Sequence, residues 1–327
     1  MRTDFLICSE RSGSNFISRL LNAHPEICSP APKHIFNPLL RNLYRYEPLK
    51  DKGRWKELVS DVINMMNVDF TYWKKVFSIE EIQDNVKTGD IKHLLDFLFE
   101  SEALAHNKDH LFIKENKLYE FFPFLLLHYP ESKYVFLVRD PRDMALSWKK
   151  NPTHPGGVVA AARQWKEDQQ QSLKNAQLLN LSKKVITVHY EELISNTEAV
   201  IKEVVEFLGL HFEEMMLNYY NDELTQKNAT LQPAWENLSK NVMTENFNKY
   251  RNELSEQEIK IIEKICYFEM KFLGYPPEYS WKELQNLSNS DIRKAEDEDL
   301  IISPQVLTKG VKENIAAKTV FYQKEIN

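Results

Sequence analysis

The chain is 327 residues long, room for one large or two ordinary domains, and its 43% hydrophobic and 28% charged content excludes disordered, collagen-like and disulfide-scaffold classes. Lys and Arg number 42 against 48 Asp and Glu, a net charge of −6; this argues against a broad basic face for nucleic acid and leaves room for a local basic pocket. Three cysteines in no disulfide or metal spacing suit a reducing compartment, and the short apolar runs predict no signal peptide and no integral membrane segment, so a cytoplasmic protein is expected.

In chain order, residues 4–8 (Asp-Phe-Leu-Ile-Cys) predict a buried strand, followed by a polar loop from Ser9 to Ser14 and a helix marked by Phe16, Ile17, Leu20 and Leu21. Residues 41–109 predict amphipathic helices, one of them carrying Ile91, Leu94, Leu95, Leu98 and Phe99. A second strand is expected over 111–114 and a helix over 121–128. Tyr134–Val138 is apolar throughout and rich in β-branched and aromatic residues, as central parallel strands are. Asp140 and Pro141 then open a helix as cap and first-turn residue. After a Pro/Gly loop over 151–157 come a long helix from about 158 to 180, a strand over 185–188, and a helix from 198 to 208 stopped by Gly209. Residues 225–250 have little apolar period and are expected to form a long loop. Ser255 and Glu258 predict a capping box for a helix ending near Gly274. The acidic cluster Glu296–Asp299 is expected to be a solvated face.

This alternation of strands and helices predicts an α/β fold, a mostly parallel sheet flanked by helices. Residues 1–287 are expected to form one domain, with 41–109 and 225–250 as insertions around the mouth of a site, and 288–327 as a C-terminal extension.

Two motifs carry chemistry. The loop Ser9-Glu10-Arg11-Ser12-Gly13-Ser14-Asn15 lies between the first strand and helix, where backbone N–H groups and the helix dipole favour an anion. Gly13, one of only eight glycines, permits close backbone approach; Ser12, Ser14 and Asn15 add short polar groups, and Arg11 adds a fixed charge. An ordinary strand-to-helix turn has the same outline. The G-x-x-x-x-G-K-[ST] pattern of nucleotide triphosphatases is absent. The second motif, Val138-Arg139-Asp140-Pro141-Arg142-Asp143-Met144-Ala145-Leu146-Ser147, follows the clearest strand and places Arg139 at a strand's carboxyl end, where open α/β sheets bind ligands. Surface pairing with Asp140 and Asp143 is the competing role, better suited to Arg142 than to Arg139.

Together these motifs resemble the sulfotransferases that use 3′-phosphoadenosine 5′-phosphosulfate (PAPS). The first is similar to their 5′-phosphosulfate loop, implying Arg11, Ser12, Gly13, Ser14 and Asn15 as donor-binding residues. The second is similar to their 3′-phosphate motif, implying Arg139 and Ser147. His189-Tyr190-Glu191-Glu192-Leu193 resembles the family's Tyr-Glu-Asp-Leu segment, Phe207-Leu208-Gly209 its helix end, and Tyr250–Leu254 with Phe272–Tyr275 its C-terminal segment. The resemblance runs over about 4–40 and 110–280 and implies a P-loop-like three-layer fold and PAPS as co-substrate. Arg11, where the cytosolic small-molecule branch has Lys, is closer to the bacterial and carbohydrate-type branches. Tyr190 is open between core packing and contact with adenine.

Transfer of a sulfuryl group to a hydroxyl or amine needs in-line geometry, stabilisation of the leaving phosphate and a base. The pair Lys33-His34 stands where several relatives have Lys-Glu, implying His34 as base and Lys33 as a contact to the transferring group, with Arg11 assisting; no metal is expected. Glu115 is the rival base, in Ile113-Lys114-Glu115-Asn116, where the cytosolic branch carries a Lys-Thr-His segment. Strand alternation would turn Glu115 away from Asn116. A hydroxylated small-molecule, carbohydrate or lipid acceptor is expected, with no nucleic-acid partner. The competing class is a P-loop-type kinase using ATP and magnesium, which needs the Lys-Ser/Thr pair that this chain lacks.

Overall fold

The computed structural model describes residues 1–151, 153–231, 233–300 and 307–325. Five parallel strands, β1 (Arg2–Cys8), β2 (Ile27–Cys28), β3 (His110–Lys114), β4 (Tyr134–Val138) and β5 (Val185–His189), form one sheet in the order β2-β3-β1-β4-β5. Strand β2 was not expected, because two residues are too short to show a period.

The helices are α1 (Ser14–Asn22), α2 (Phe36–Arg41), α3 (Lys52–Met66), α4 (Ile79–Asn85), α5 (Ile91–Ala105), α6 (Phe122–His128), α7 (Pro141–Lys149) and α8 (Gly157–Leu181). They continue with α9 (Tyr190–Ser195), α10 (Thr197–Leu208), α11 (Glu223–Leu231), α12 (Tyr250–Glu253), α13 (Glu256–Phe272), α14 (Trp281–Gln285), α15 (Asn289–Leu300) and α16 (Lys309–Gln323).

The sheet is covered on both faces, which is why its strands are continuously apolar. Along β1, Phe5 and Ile7 enter one core cluster with helices α3, α5 and α8, while Leu6 and Cys8 enter another with α1 and α10. This is the parallel α/β sheet that strand–helix alternation predicts, in the three layers that the resemblance implies. The Asp140 side chain caps α7 through the amide of Arg142, Pro141 occupies its first turn, and Gly209 ends α10 in the left-handed region. Ser255 and Glu258 form the reciprocal capping box at α13.

The segment 225–250 departs from the expected loop over its first half. Helix α11 ends at Leu231, and a 3₁₀ turn covers Pro233–Ser239. The helix is held by tertiary contacts rather than by apolar period. Buried Asn228 accepts from the amide of Tyr72 and donates to its carbonyl, replacing the missing apolar stripe with a polar clamp. Of the acidic cluster, Glu296 pairs with Arg163 and Asp297 is exposed, whereas the side chains of Glu298 and Asp299 lie outside the described residues. Helix α16 packs back against α2 and α3. Among the described residues no helix is long and apolar enough to cross a membrane.

Candidate functional site

The carboxyl ends of β3, β1 and β4 lie side by side, with Leu6 opposite Lys114 and Cys8 opposite Leu137. The segments 9–13, 115–116 and 139–140 therefore emerge together, at the position where strand order reverses about β1. The first turn needs unusual backbone: Arg11 has φ 61° and Gly13 φ 88°. At Gly13 a Cβ would lie 2.3 Å from the ring of Tyr190, so glycine is required both by conformation and by contact. Ser12 Oγ donates to the carbonyl of Ser9 (2.7 Å), closing the turn from inside.

Arg11, Ser147, Arg139 and Tyr190 meet here although they are distant in sequence. Arg11 Nε donates to Ser147 Oγ (3.1 Å), and one terminal nitrogen of Arg139 donates to the carbonyl of Arg11 (3.0 Å). The Arg139 guanidinium lies 4.3 Å from the centre of the Tyr190 ring, a cation–π contact. Asn246 locks this stack from above: its carbonyl accepts from Arg139 (3.3 Å) and its side-chain amide donates to the Tyr190 hydroxyl (2.8 Å). Among the described residues neither Arg11 nor Arg139 forms an ion pair, and the buried Arg139 Nε and Asn15 Oδ1 have no partner. Burial, reinforced by Arg139, pulls the Arg11 pKa down to about 10. Two guanidiniums with spare donors and no carboxylate bonded to them form a site suited to a multiply charged anion.

Arg142 has a different fate. It is buried against Asp140 (2.6 Å) and Glu263 (2.8 Å), so it pairs internally rather than at the surface. Asp143 accepts the amides of Asn248 (2.5 Å) and Tyr250 (3.0 Å), fixing the chain just after Asn246. Glu191 ties the ends of β4 and β5 together by accepting from the Asp140 amide and the Tyr275 hydroxyl, both at 2.9 Å.

The second half of the site lies around the loop before α2. Glu115 is 1% exposed and accepts the backbone amides of His34 (2.8 Å) and Phe36 (3.3 Å). It thus holds His34 in a left-handed conformation, φ 60°. Burial raises the Glu115 pKa to about 7, against the lowering effect of those amides and of Lys114. Burial, with Lys318 and Lys114 nearby, holds the His34 imidazole well below its usual range; it is neutral at pH 7, and among the described residues its buried Nδ1 has no partner. The Lys33 ammonium is turned away from the loop after β1, donating to the carbonyls of Val68 (3.0 Å) and Thr71 (2.6 Å). Burial lowers its pKa to about 8.

Lys114 does not pair with Glu115. It donates to Asn116 Oδ1 (3.0 Å), Asn116 donates to Glu10 (2.6 Å), and Glu10 meets His154 Nε2 (2.6 Å). Glu115 and Asn116 face different partners, but both lie beyond the end of β3, so strand alternation does not set their directions. Glu10, Asn246 and Lys318 are the additions that sequence reasoning missed. Glu10 was inside the quoted loop and was passed over as a carboxylate in an anion site. Asn246 and Lys318 sit in segments that carry no local signal.

A polar loop between β1 and α1 at a strand-order reversal, facing an arginine from β4, defines an α/β protein with an anion site of the phosphate-loop kind. Residues 5–214 match the model of the sulfotransferase family, and the chain belongs to that family. Carbohydrate sulfotransferase 2 of Mus musculus and of Homo sapiens are each 28% identical to it over 109 residues, 33% of this chain and 20% of theirs. The match thus spans about a fifth of the length of these curated relatives. The sulfotransferase domain of the Synechococcus PCC 7002 olefin synthase has the same fold: TM-score 0.54 at 21% identity, covering 81% of this chain and 95% of that domain.

Proposed function

We infer that this chain is a sulfotransferase that moves a sulfuryl group from PAPS to a hydroxyl or amine of an acceptor. The observation that carries this is the Arg11–Ser147–Arg139 cluster: two guanidiniums at adjacent strand ends, one with a buried unpartnered Nε, beside a loop whose glycine is closed against Tyr190. These residues fit a nucleotide with two anionic ends. The loop from Arg11 to Asn15 would hold the 5′-phosphosulfate, and Arg139 with Ser147 the 3′-phosphate. Tyr190 supports Arg139 from beneath. When bound, PAPS supplies an activated sulfuryl group on a phosphate leaving group.

The chain's own contribution is charge and position. Arg11 and Lys114 would stabilise charge growing on the leaving phosphate, and no metal is assigned a part. His34, neutral at pH 7 and held by Glu115 through its amide, is the group we assign to accept the acceptor's proton. Lys33, committed to two carbonyls, shapes the 68–71 segment unless those bonds are exchanged on binding. The curated relatives are named for action on carbohydrate, which supports a hydroxylated acceptor; the three free, buried cysteines support our assignment to a reducing compartment, the cytoplasm.

The test is ligand-dependent thermal stabilisation. 3′,5′-Adenosine bisphosphate (PAP) should raise the melting temperature in the presence of chelator, and ATP with magnesium should not. The reverse pattern would overturn the assignment in favour of a kinase.

A further inference from the structure

Helix α16 delivers a lysine to the place where the site's segments converge. The helix is anchored at both ends. At Gly310 a Cβ would lie 2.3 Å from the Asp69 carbonyl oxygen, so the two backbones touch. Phe321 is fully buried against Tyr46, with ring centres 6.1 Å apart, and Arg45 donates to the Lys324 carbonyl (2.7 Å). Between these anchors Lys318 is half-buried, its ammonium 5.9 Å from the centre of the Phe70 ring, which lies 5.7 Å from the ring of His34.

The charges that Lys318 feels are those of Glu115, Glu10 and Lys114. Glu10 belongs to the loop after β1, Lys114 and Glu115 to the end of β3, and His34 to the loop that Glu115 holds. Lys33 and Lys114, the other buried lysines here, each donate to an oxygen. Lys318 forms no hydrogen bond and no ion pair among the described residues. A partly desolvated ammonium that meets a ring face rather than an oxygen is costly to keep and gains much from an arriving anion.

We propose that Lys318 is a further cation of the transfer site and contacts the sulfuryl group of the donor rather than its nucleotide phosphates. The inference rests on the assignment of PAPS as donor. It makes the C-terminal helix a part of the site, although Lys318 lies about 170 residues beyond Ser147 and about 180 beyond Arg139.

PAP lacks the sulfuryl group, so the two nucleotides separate the contact from the rest of the site without any acceptor present. The experiment measures affinities of the full chain and of its Lys318→Gln and Lys318→Arg variants for PAP and for PAPS by calorimetry. Lys318→Gln should bind PAPS about 10- to 100-fold more weakly while PAP affinity stays within about twofold, the range of one charge-assisted hydrogen bond. Lys318→Arg should restore most of the loss, and it guards against a Gln variant that fails to fold. Unchanged PAPS affinity in Lys318→Gln overturns the proposal. So does an equal loss for both nucleotides, which would mean a structural role. A wild-type chain that binds neither nucleotide would overturn the donor assignment itself, a result distinct from binding both with no effect of Lys318.

Discussion

The two halves of the site are built on opposite electrostatic plans. Around Arg139 the arginines bond a hydroxyl and carbonyls, and among the described residues no carboxylate is bonded to either, although Asp143 and Glu10 lie within the fields of Arg139 and Arg11. Around His34 carboxylates and ammoniums alternate: Glu115, Lys114, Glu10 and Lys318 lie within reach of one another's fields. The first plan leaves fixed positive charge for a ligand to neutralise, as binding a nucleotide's phosphates requires. The second nearly balances its charge but shifts the protonation equilibria of its members, as proton transfer requires. Arginine suits the first plan because its charge survives burial, and lysine, histidine and glutamate suit the second because theirs respond to it.

The comparison predicts that damage to one half spares the other. The largest effect is expected for His34→Ala, a loss of about 10²–10⁴ in single-turnover transfer at saturating donor with PAP affinity nearly intact. Glu115→Gln should lose much less, because it loosens the clamp on residues 34–36 without removing the base. The pH profile sharpens this: with His34 as base the rate is flat from pH 6.5 to 8, because the imidazole is already neutral there. With Glu115 as base it would rise as pH approaches about 7. A dead Glu115→Gln beside an active His34→Ala would reverse the two roles.

Arg139→Ala is expected to weaken PAP binding by about 2–5 kcal/mol, the range for a desolvated charged contact, and calorimetry reads it directly. A melting temperature near that of the wild type would show that the loss is at the ligand. The next effect is on stability. Glu115 in the folded chain holds its proton up to about pH 7, whereas the unfolded carboxyl releases it near 4.5. The native state therefore binds more protons between those values, and stability falls as pH rises through this window, by about 3 kcal/mol from this group. Urea unfolding at pH 4.5 and 7.5 should show that fall in the wild type, and Glu115→Gln should reduce it, leaving the part that comes from Asp168, whose carboxyl burial raises to about 6. The smallest effect is expected for Ser147→Ala, about 0.5–1.5 kcal/mol in PAP affinity, from one hydrogen bond lost on a group that Arg139 still holds. A Ser147→Ala loss as large as that of Arg139→Ala would mean that the hydroxyl orients Arg11 as well.

Much of the first half is legible in the sequence. The βα turn with Gly13, the strand-end Arg139 and the helix-borne Ser147 each lie in short stretches whose order dictates their placement. The second half was legible only as single residues. Lys33-His34 stands out in sequence, but the two side chains part company, one to the carbonyls of Val68 and Thr71 and the other toward Phe70. Glu115 read as a rival base, yet the structure gives it a second task as the acceptor of two amides, which no spacing could reveal. The loop expected at 225–250 was misjudged at its start because α11 is held by Asn228 on the backbone of Tyr72, a polar contact that an apolar-period test does not see.

Local physics accounts for what the sequence by itself determined: continuously apolar strands, the caps at Asp140 and Ser255, the helix stop at Gly209, and, each on its own, the anion loop and the strand-end arginine. Each depends on residues within about ten positions of one another, where backbone geometry and side-chain hydrogen bonding leave few alternatives. Tertiary structure alone decided which charges meet. Arg139 lies on Tyr190 under Asn246, and Lys318 reaches the fields of Glu10 and Glu115 because Phe321 and Gly310 seat α16 on the insertion. Charge–charge energies depend on distance and burial, and neither is written in the spacing of residues hundreds of positions apart.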